Sequence, residues 1–457
     1  MSIRRILIAN RGEIATRIIR TCRASGIETV LAASEADLDS VPARLADRTV
    51  CIGPARASDS YLKPETIVQA ALGVAAQAIH PGYGFLSERS VLARLCEQHG
   101  VVFIGPTAAQ IEAVGDKLRA RSAAEAAGVP VVPGGAAATV EEALALAQRV
   151  GAPLLVKAVG GGGGRGMKRV ERIEDLPAAL ELAASEAAAA FGDARVYLER
   201  YVAQGRHVEV QVLGDGVGGV IHLGERDCSV QRRYQKLIEE APAPLVSSGL
   251  RSRLHEAAAR FARHLSYRGA GTVEFLVGAD ESFHFLEMNA RIQVEHPVTE
   301  AVTGIDLVAE QIAVASGAGL RLKQQDVRVQ GCALECRVNA EDPGRDFQPA
   351  PGLVAAVSWP VGSGIRVDTH IASGSRVPPY YDSLLGKIIV HGPDRAATIA
   401  RMREAILATR VSGVATNLAF HSVVLAEPEF QAGGVDTGFV ARLLERSPIA
   451  PERRAHG

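Results

Sequence analysis

Aromatic side chains are scarce in this chain of 457 residues, at 4% with a single Trp. So sparse a supply argues against a surface that stacks successive bases. An excess of one charge is lacking too. The formal net charge is -1 at pH 7, so no overall basic field draws in nucleic acid. No apolar run approaches the ~20 residues that cross a bilayer, which speaks against a membrane partner. The six cysteines (Cys22, Cys51, Cys96, Cys228, Cys332 and Cys336) lack zinc-ligand spacing. They fit a reducing compartment, and the default for each is a small buried side chain. The opening "MSIRRILIAN" enters a strand-like run at once, without the pattern of a secretory signal, so a cytoplasmic location is expected. Two nucleotide fingerprints are also missing. The Walker A loop is absent, and the first turn reads "ANRGEIA" where a dinucleotide fold has G-x-G-x-x-G.

What remains is ordinary globular material, 47% hydrophobic and 22% charged, long enough for several domains. Residues 1–113 alternate as strand and helix: "RRILIAN", then "GEIATRIIRTCRASG" with helical apolar spacing, then "ETVLAAS". The pattern predicts a Rossmann-like α/β domain. A second region spans 114–320. Within it, a small unit at about 131–203 carries the run "KAVGGGGGRGMKRV", and strand signals such as "RHVEVQVL" and "GTVEFLV" follow. The composition shifts after "VASGAGLRL", and residues 330–440 read as an α+β unit, with 441–457 as a tail.

The five consecutive glycines suit either a flexible spacer or a loop whose bare backbone approaches a phosphate. Both flanks, "PLLVKAV" and "KRVERI", read as short strands, which favours the tip of a strand–loop–strand unit. Lys157, just before the glycines, and Lys117, in "GDKLRA", are candidate cations for that phosphate. The stretch "GTVEFLVGADESFHFLEMNARIQVEHPVTE" is the most informative. If "GADE" closes a hairpin that pairs Val277 with Ser282, Glu274 faces Phe285 and Thr272 faces Glu287. The two glutamates are then diagonal neighbours ~7–8 Å apart. Carboxylates that close need a cation between them, and such oxygen ligands suit Mg²⁺ completed by substrate phosphates. Asn289 adds an amide oxygen on the same side; the bland alternative is a pair of solvated glutamates. Arg291 and Glu295 then suggest an anion held beside a general base, or else a surface ion pair.

These stretches, together with "IANRGEIA", "HPGYGFLSE", "ERDCSVQRRYQK", "EEAPAP", "ECRVNAEDP" and "PPYYDSLLGK", closely resemble biotin carboxylase, an ATP-grasp enzyme, from about residue 3 to 440. The resemblance implies a Rossmann-like N-terminal domain, a central ATP-grasp domain with a mobile glycine-rich lid, and a C-terminal α+β domain. It also implies roles for particular residues. Lys117, Lys157 and the backbone of Gly163 and Gly164 contact ATP phosphates. Glu199, Arg200, Tyr201 and Val202 line the adenine pocket with Met167 against the base, and His207 and Gln231 hold the ribose side. Glu274 and Glu287 bind magnesium or manganese, two ions being expected, with Asn289 assisting. Lys236, Arg291, Gln293 and the Val294 backbone hold bicarbonate, Glu295 deprotonates it, and Arg337 stabilises charge on the biotin ureido oxygen. Tyr83 walls the biotin pocket, with Asp382 nearby. Tyr234 departs from the pattern, standing in "QRRYQK" where many relatives have His; a phenol carries no positive charge near neutral pH.

The chain has four methionines, and its one Met-Lys pair, Met167–Lys168, falls in the glycine unit. No Ala-Met-Lys-Met biotinylation sequence is present. Biotin is therefore expected on a separate carrier protein, with carboxyltransferase subunits as further partners, acetyl-CoA carboxylase as the simplest assembly, and a homodimer. The alternatives are service in a propionyl-, methylcrotonyl- or pyruvate-type carboxylase, another ATP-grasp carboxylate–amine ligase, or a non-catalytic homologue.

Overall fold

A computed structural model describes residues 3–160, 167–447 and 449. Near the N-terminus, five parallel strands lie in the order Arg48–Cys51, Glu28–Ala33, Arg5–Ile8, Ala78–His80, Val102–Phe103. The near-continuous apolar runs of Glu28–Ala33, Arg5–Ile8 and Ala78–His80 are buried on both faces, as crossover helices require, while the edge strand Arg48–Cys51 is partly exposed. The strand order reverses between Arg5–Ile8 and Ala78–His80, and crevices form at such switch points. There the Asn10 amide donates to the carbonyls of Pro81 and Tyr83, each at 2.7 Å, tying the two loops together. Gly82 takes φ +61 in this turn, and a Cβ on it would lie 2.9 Å from the Asn10 amide. Glycine is thus required by both conformation and space.

The glycine-run unit is a four-stranded antiparallel sheet, Gly134–Ala136, Val196–Arg200, Leu154–Ala158, Lys168–Val170, packed on the helices Val140–Val150 and Leu176–Phe191. Leu154 pairs with Val170 and Val156 with Lys168, so strands do flank the glycines as expected. The expected phosphate contacts of Gly163 and Gly164 lie outside the described residues.

The largest sheet has eight antiparallel strands, in the order Phe283–Asn289, Arg268–Val277, Arg206–Asp215, Val220–Arg232, Gln235–Ala241, Cys332–Asn339, Leu384–Gly392, Ile365–Thr369. The compositional shift at residue 330 falls within it, because Cys332–Asn339 hydrogen-bonds to Gln235–Ala241. Alternation in "RHVEVQV" sends Val208, Val210 and Val212 into the core beneath the helix Ser248–His264. Burying each such side chain is worth roughly 1.5–3 kcal/mol. The same alternation turns His207, Glu209 and Gln211 to the other face. Among the described residues, no helix is long and apolar enough to cross a membrane.

Several histidines are built into this frame uncharged. Burial holds His80 and His370 down at about 3 and His421 at about 4. The unfolded chain protonates first, near pH ~6.5. The stabilising contribution is therefore complete above that pH and is lost as pH falls towards the folded values. Urea midpoints should be level between pH 7 and 8 and drop between pH 6.5 and 4. Each of the three histidines can contribute up to ~1.4 kcal/mol per pH unit. A midpoint unchanged down to pH 5 would contradict this.

Candidate active site

The hairpin bearing the two predicted carboxylates differs from its expected register. Val277 pairs with Phe283, one residue beyond Ser282. A bulge then intervenes, so that Phe275 opposes Phe285 but Glu274 directly opposes Glu287, and Thr272 opposes Asn289. Residues 278–282 close the turn, with the Gly278 amide donating to the Ser282 carbonyl at 2.8 Å. The extra residue in the bulge reverses the alternation. Phe285 can therefore enter the core, 3% exposed, while Glu287 turns to the face shared with Glu274. The glutamates are direct cross-strand neighbours, closer than the diagonal arrangement expected.

This face forms one wall of a cavity of about 770 Å³, which brings together every predicted site residue that the structure describes. One end holds Met167 and the run from Glu199 to Val202, with Lys157 donating to Glu199 at 2.8 Å and the Arg169 guanidinium 4.1 Å from the Tyr201 ring centre. Tyr234 and Gln231 lie on the wall formed by the hairpin between Val220–Arg232 and Gln235–Ala241. Tyr234 takes φ +66 at its tip and is 56% exposed. Tyr83 and Asp382 lie at the other end, where the Tyr83 hydroxyl donates to buried Glu13.

Between the ends, charges interlock. Lys117 meets Glu287 at 2.7 Å. Lys236 meets three carboxylates at once: Glu209 at 2.6 Å, Glu295 at 2.7 Å and Glu274 at 2.9 Å. Arg337 reaches Glu295 at 2.9 Å and Glu239 at 2.6 Å. His207 lies 3.2 Å from Glu274. Gln293 donates to Asn289 at 2.6 Å and to Glu274 at 3.1 Å. Lys387 donates to the Val294 carbonyl at 2.7 Å. Arg291 and Glu295 do not form a surface pair. Arg291 instead donates to Glu88 and Asn289, each at 2.9 Å, and Glu295 is fully buried.

The electrostatics follow from this mesh. Lys117 holds the Glu287 carboxyl down at about 2, against the opposing effect of burial. Burial pushes Glu209 and Glu295 up, but Lys236, with Arg226 and Arg337, outweighs it, and both remain below the usual carboxylate range. Burial would lower His207, yet Glu274 and Glu209 raise it to about 9, so its ring is charged at neutral pH.

Some participants escaped the sequence reading. Glu209 is wholly buried beneath Lys236, and Arg226 is buried with it, donating to Glu209, Gln211, Thr272 and Thr299. The alternation in "RHVEVQV" puts Glu209 on the same face as His207, a signal of its place but not of its cation. Glu88 and Glu239 carry no local signal, because their partners Arg291 and Arg337 are remote in sequence. A divalent cation fits the donor set. Glu274 and Glu287 oppose each other, Asn289 lies beside them, and hard oxygen ligands on a cavity wall are what Mg²⁺ selects.

A Rossmann-like unit, a small antiparallel sheet and a cavity of paired lysines and carboxylates are the features of an ATP-grasp ligase, an enzyme class that couples ATP cleavage to bond formation. Family models match in the order "Biotin carboxylase, N-terminal domain" over residues 2–111, "Carbamoyl-phosphate synthase L chain, ATP binding domain" over 116–323, and "Biotin carboxylase C-terminal domain" over 335–442. A biotin carboxylase of Nostoc sp. is 49% identical, with 97% of this chain and 100% of that one covered. A biotin carboxylase–beta-gamma-ATP complex from Campylobacter jejuni superposes with TM-score 0.94 at 46% identity, covering 96% of this chain and 99% of that one. The biotin carboxylase domain dimer of Hydrogenobacter thermophilus 2-oxoglutarate carboxylase, in complex with MgADP, ADP and bicarbonate, also gives 0.94, at 44% identity and 98% coverage of both chains. The chain belongs to the biotin carboxylase family.

Lys236 is the cation on which three buried carboxylates converge. Lys236→Met should lower the unfolding free energy at pH 8 by about 3–5 kcal/mol, the usual cost of leaving buried charge unpaired. The deficit should shrink towards pH 6, as the orphaned carboxylates take up protons. Urea unfolding at the two pH values reads this, and a deficit under ~1 kcal/mol, or one independent of pH, would contradict it.

Proposed function

We propose that this protein carboxylates biotin borne on a carrier protein, using ATP and bicarbonate, through carboxyphosphate. The observation that carries the reading is the convergence of Lys117–Glu287, the Lys236 carboxylate cluster, Arg291 and Arg337 in one cavity. A nucleotide site, a small-anion site and a cation for a developing enolate thus lie within reach of one another. The relatives described as complexes with a nucleotide, magnesium and bicarbonate support the same ligands here.

Glu274 and Glu287, with Asn289, would hold Mg²⁺ or Mn²⁺, which supplies charge neutralisation for phosphoryl transfer. Lys117 and Lys157 steady the phosphates, and the stretch from Glu199 to Val202 takes the adenine. Tyr234 offers only a neutral hydrogen bond. Lys236, Arg291, Gln293 and the Val294 backbone hold bicarbonate while Glu295 removes its proton, so that it attacks the γ-phosphorus, the β–γ anhydride bond breaks and ADP leaves. Carboxyphosphate then breaks down to CO₂ and phosphate beside biotin, which Tyr83 and Asp382 flank. The ring nitrogen passes its proton to that phosphate and then bonds CO₂, while Arg337 stabilises the negative charge on the ureido oxygen. The protein's contribution is orientation and preset charge.

The acyl acceptor belongs to the partner subunit. The simplest assembly is an acetyl-CoA carboxylase of fatty-acid synthesis, with a biotin carboxyl carrier protein, a carboxyltransferase and a homodimer of this chain. A second reading, service to a 2-oxo acid carboxylase, is favoured by the 44% identity to the 2-oxoglutarate enzyme. Assaying the chain with its co-purified carboxyltransferase, against acetyl-CoA and 2-oxoglutarate, separates the two.

The purified protein should hydrolyse ATP only with bicarbonate present, and faster with free biotin. Arg337→Ala should lower the biotin-dependent rate at least ~100-fold, about 2.7 kcal/mol, as for loss of one preorganised charge donor. A rate within about threefold of the unsubstituted protein, ~0.7 kcal/mol, would remove the assigned role.

A further inference from the structure

Behind Arg337 lies a buried layer whose own carboxylates, Glu239 and Glu335, do not line the cavity. Antiparallel pairing sets Glu239, on Gln235–Ala241, directly opposite Glu335, on Cys332–Asn339. Arg337 is two residues along the same strand, on the same face, and is paired across the next strand with Lys387. The helix His296–Thr303 packs over these strands, with Val298 and Val302 against Ala241, Ala333 and Ile389. Its N-cap residue is Glu295. Glu239 and Glu335 are both fully buried.

Their hydrogen bonding is lopsided. One Glu239 oxygen accepts from Arg337 Nε at 2.6 Å. Its second oxygen, and both oxygens of Glu335, have no partner among the described residues. Two fully buried carboxyl groups set opposite each other, with three oxygens that have no partner among the described residues, repel when both are ionised, which favours one shared proton. Anchoring Arg337 calls for the charge on Glu239, which leaves the proton to Glu335. The other groups facing the pair are Lys387, Lys236, Glu295, Cys228 and Cys336. Among these, Lys236 and Lys387 are already engaged with other carboxylates.

We propose that Glu239 is a positioning residue for the biotin step: its carboxylate fixes the Arg337 guanidinium at Nε, and protonating it releases that hold. The proposal rests on the biotin carboxylase reading, since it presumes that Arg337 faces the ureido oxygen. Arg337 is held at two corners, by Glu239 from behind and by Glu295 from the side of the bicarbonate site. Loss of the rear anchor leaves the guanidinium to Glu295 alone, drawn towards the base and away from biotin. Burial raises the Glu239 carboxyl, Arg337 opposes this, and the balance is about 7, so the hold is sensitive to pH in the neutral range.

The test compares the unsubstituted protein with Glu239→Gln, which keeps the shape and removes the charge. In the unsubstituted protein, kcat/KM for free biotin should fall about tenfold per pH unit below pH ~7, while KM for ATP stays within about threefold. In Glu239→Gln, kcat/KM for biotin at pH 8 should fall at least about tenfold, KM for ATP should hold, and the acidic limb should vanish. Glu239→Asp should restore a limb. A purely structural role would depress the ATP and biotin parameters together and leave the limb in place; that result overturns the proposal. So does a flat biotin profile in the unsubstituted protein, a measurement that needs no variant to fold. Unsubstituted protein that shows no bicarbonate-dependent, biotin-stimulated ATP cleavage would overturn the functional reading and this proposal together. A protein that passes that assay, but whose Glu239→Gln form behaves identically to it, overturns the proposal alone.

Discussion

Lys236 sits within 2.9 Å of Glu209, Glu274 and Glu295, three carboxylates from three separate parts of the chain. A buried carboxylate without a partner costs several kcal/mol, so such a cluster exists only where cations are placed to meet it. Lys236 cannot do this alone. Arg226 takes a second oxygen of Glu209, and Arg337 takes a second oxygen of Glu295. Around Lys236 the cavity wall is thereby an alternating lattice in which Glu209 and Glu295 are each held by two cations. Its geometry is set by the sheet beneath it, because the strands carrying Glu209, Lys236, Glu274 and Arg337 are all consecutive or near neighbours in the eight-stranded order. Preorganisation of this kind is what a site needs if it is to stabilise transient anions without rearranging at each turnover.

The bulge at Leu286 shows how finely that lattice depends on backbone register. A strand alternates its faces, so without the bulge either Phe285 would enter the polar cavity or Glu287 the core. The phenyl ring instead packs edge-on against Phe261, with centroids 5.0 Å apart, and Glu287 meets Lys117. One residue of irregularity thus joins an apolar anchor to a charged wall within a single short strand.

Much of this was legible in the sequence, and the limits have physical causes. Alternation and helical spacing carried the Rossmann-like unit, the strands flanking the glycines and the placing of Glu274 and Glu287 on one face, though not their direct pairing. The bulge was not legible, since no local propensity distinguishes a five-residue turn with a bulge from a shorter regular one. Glu239 and Glu88 were invisible for a different reason. Their significance comes from partners 98 and 203 positions away, brought close by sheet order and domain packing. Glu209 lies between these cases: its alternation with buried valines was on the page, but a glutamate in an otherwise apolar strand reads as a solvated residue until its cation is known. The site residues named from family likeness all reached the cavity where they are described, because likeness transmits long-range pairing that propensity cannot.

Self-neutralisation also bears on how the site takes up its ligands. Lys117 is bound to Glu287, and Lys157 to Glu199. On the proposed reading, both lysines turn to phosphate oxygens when nucleotide enters. Each departure would leave a carboxylate on the cavity wall, Glu199 buried and Glu287 half-buried, without its cation unless something replaces the lost partner. Glu199 can gain hydrogen-bond donors from an adenine, whereas Glu287 needs a cation. A triphosphate arriving with a divalent ion brings negative charge for the lysine and positive charge for the carboxylate in a single event. A bare nucleotide brings only the first. On the proposed reading, the demand for both together follows from the resting Lys117–Glu287 pair, and it ties metal dependence to the resting protein's electrostatics as much as to the phosphoryl transfer it serves.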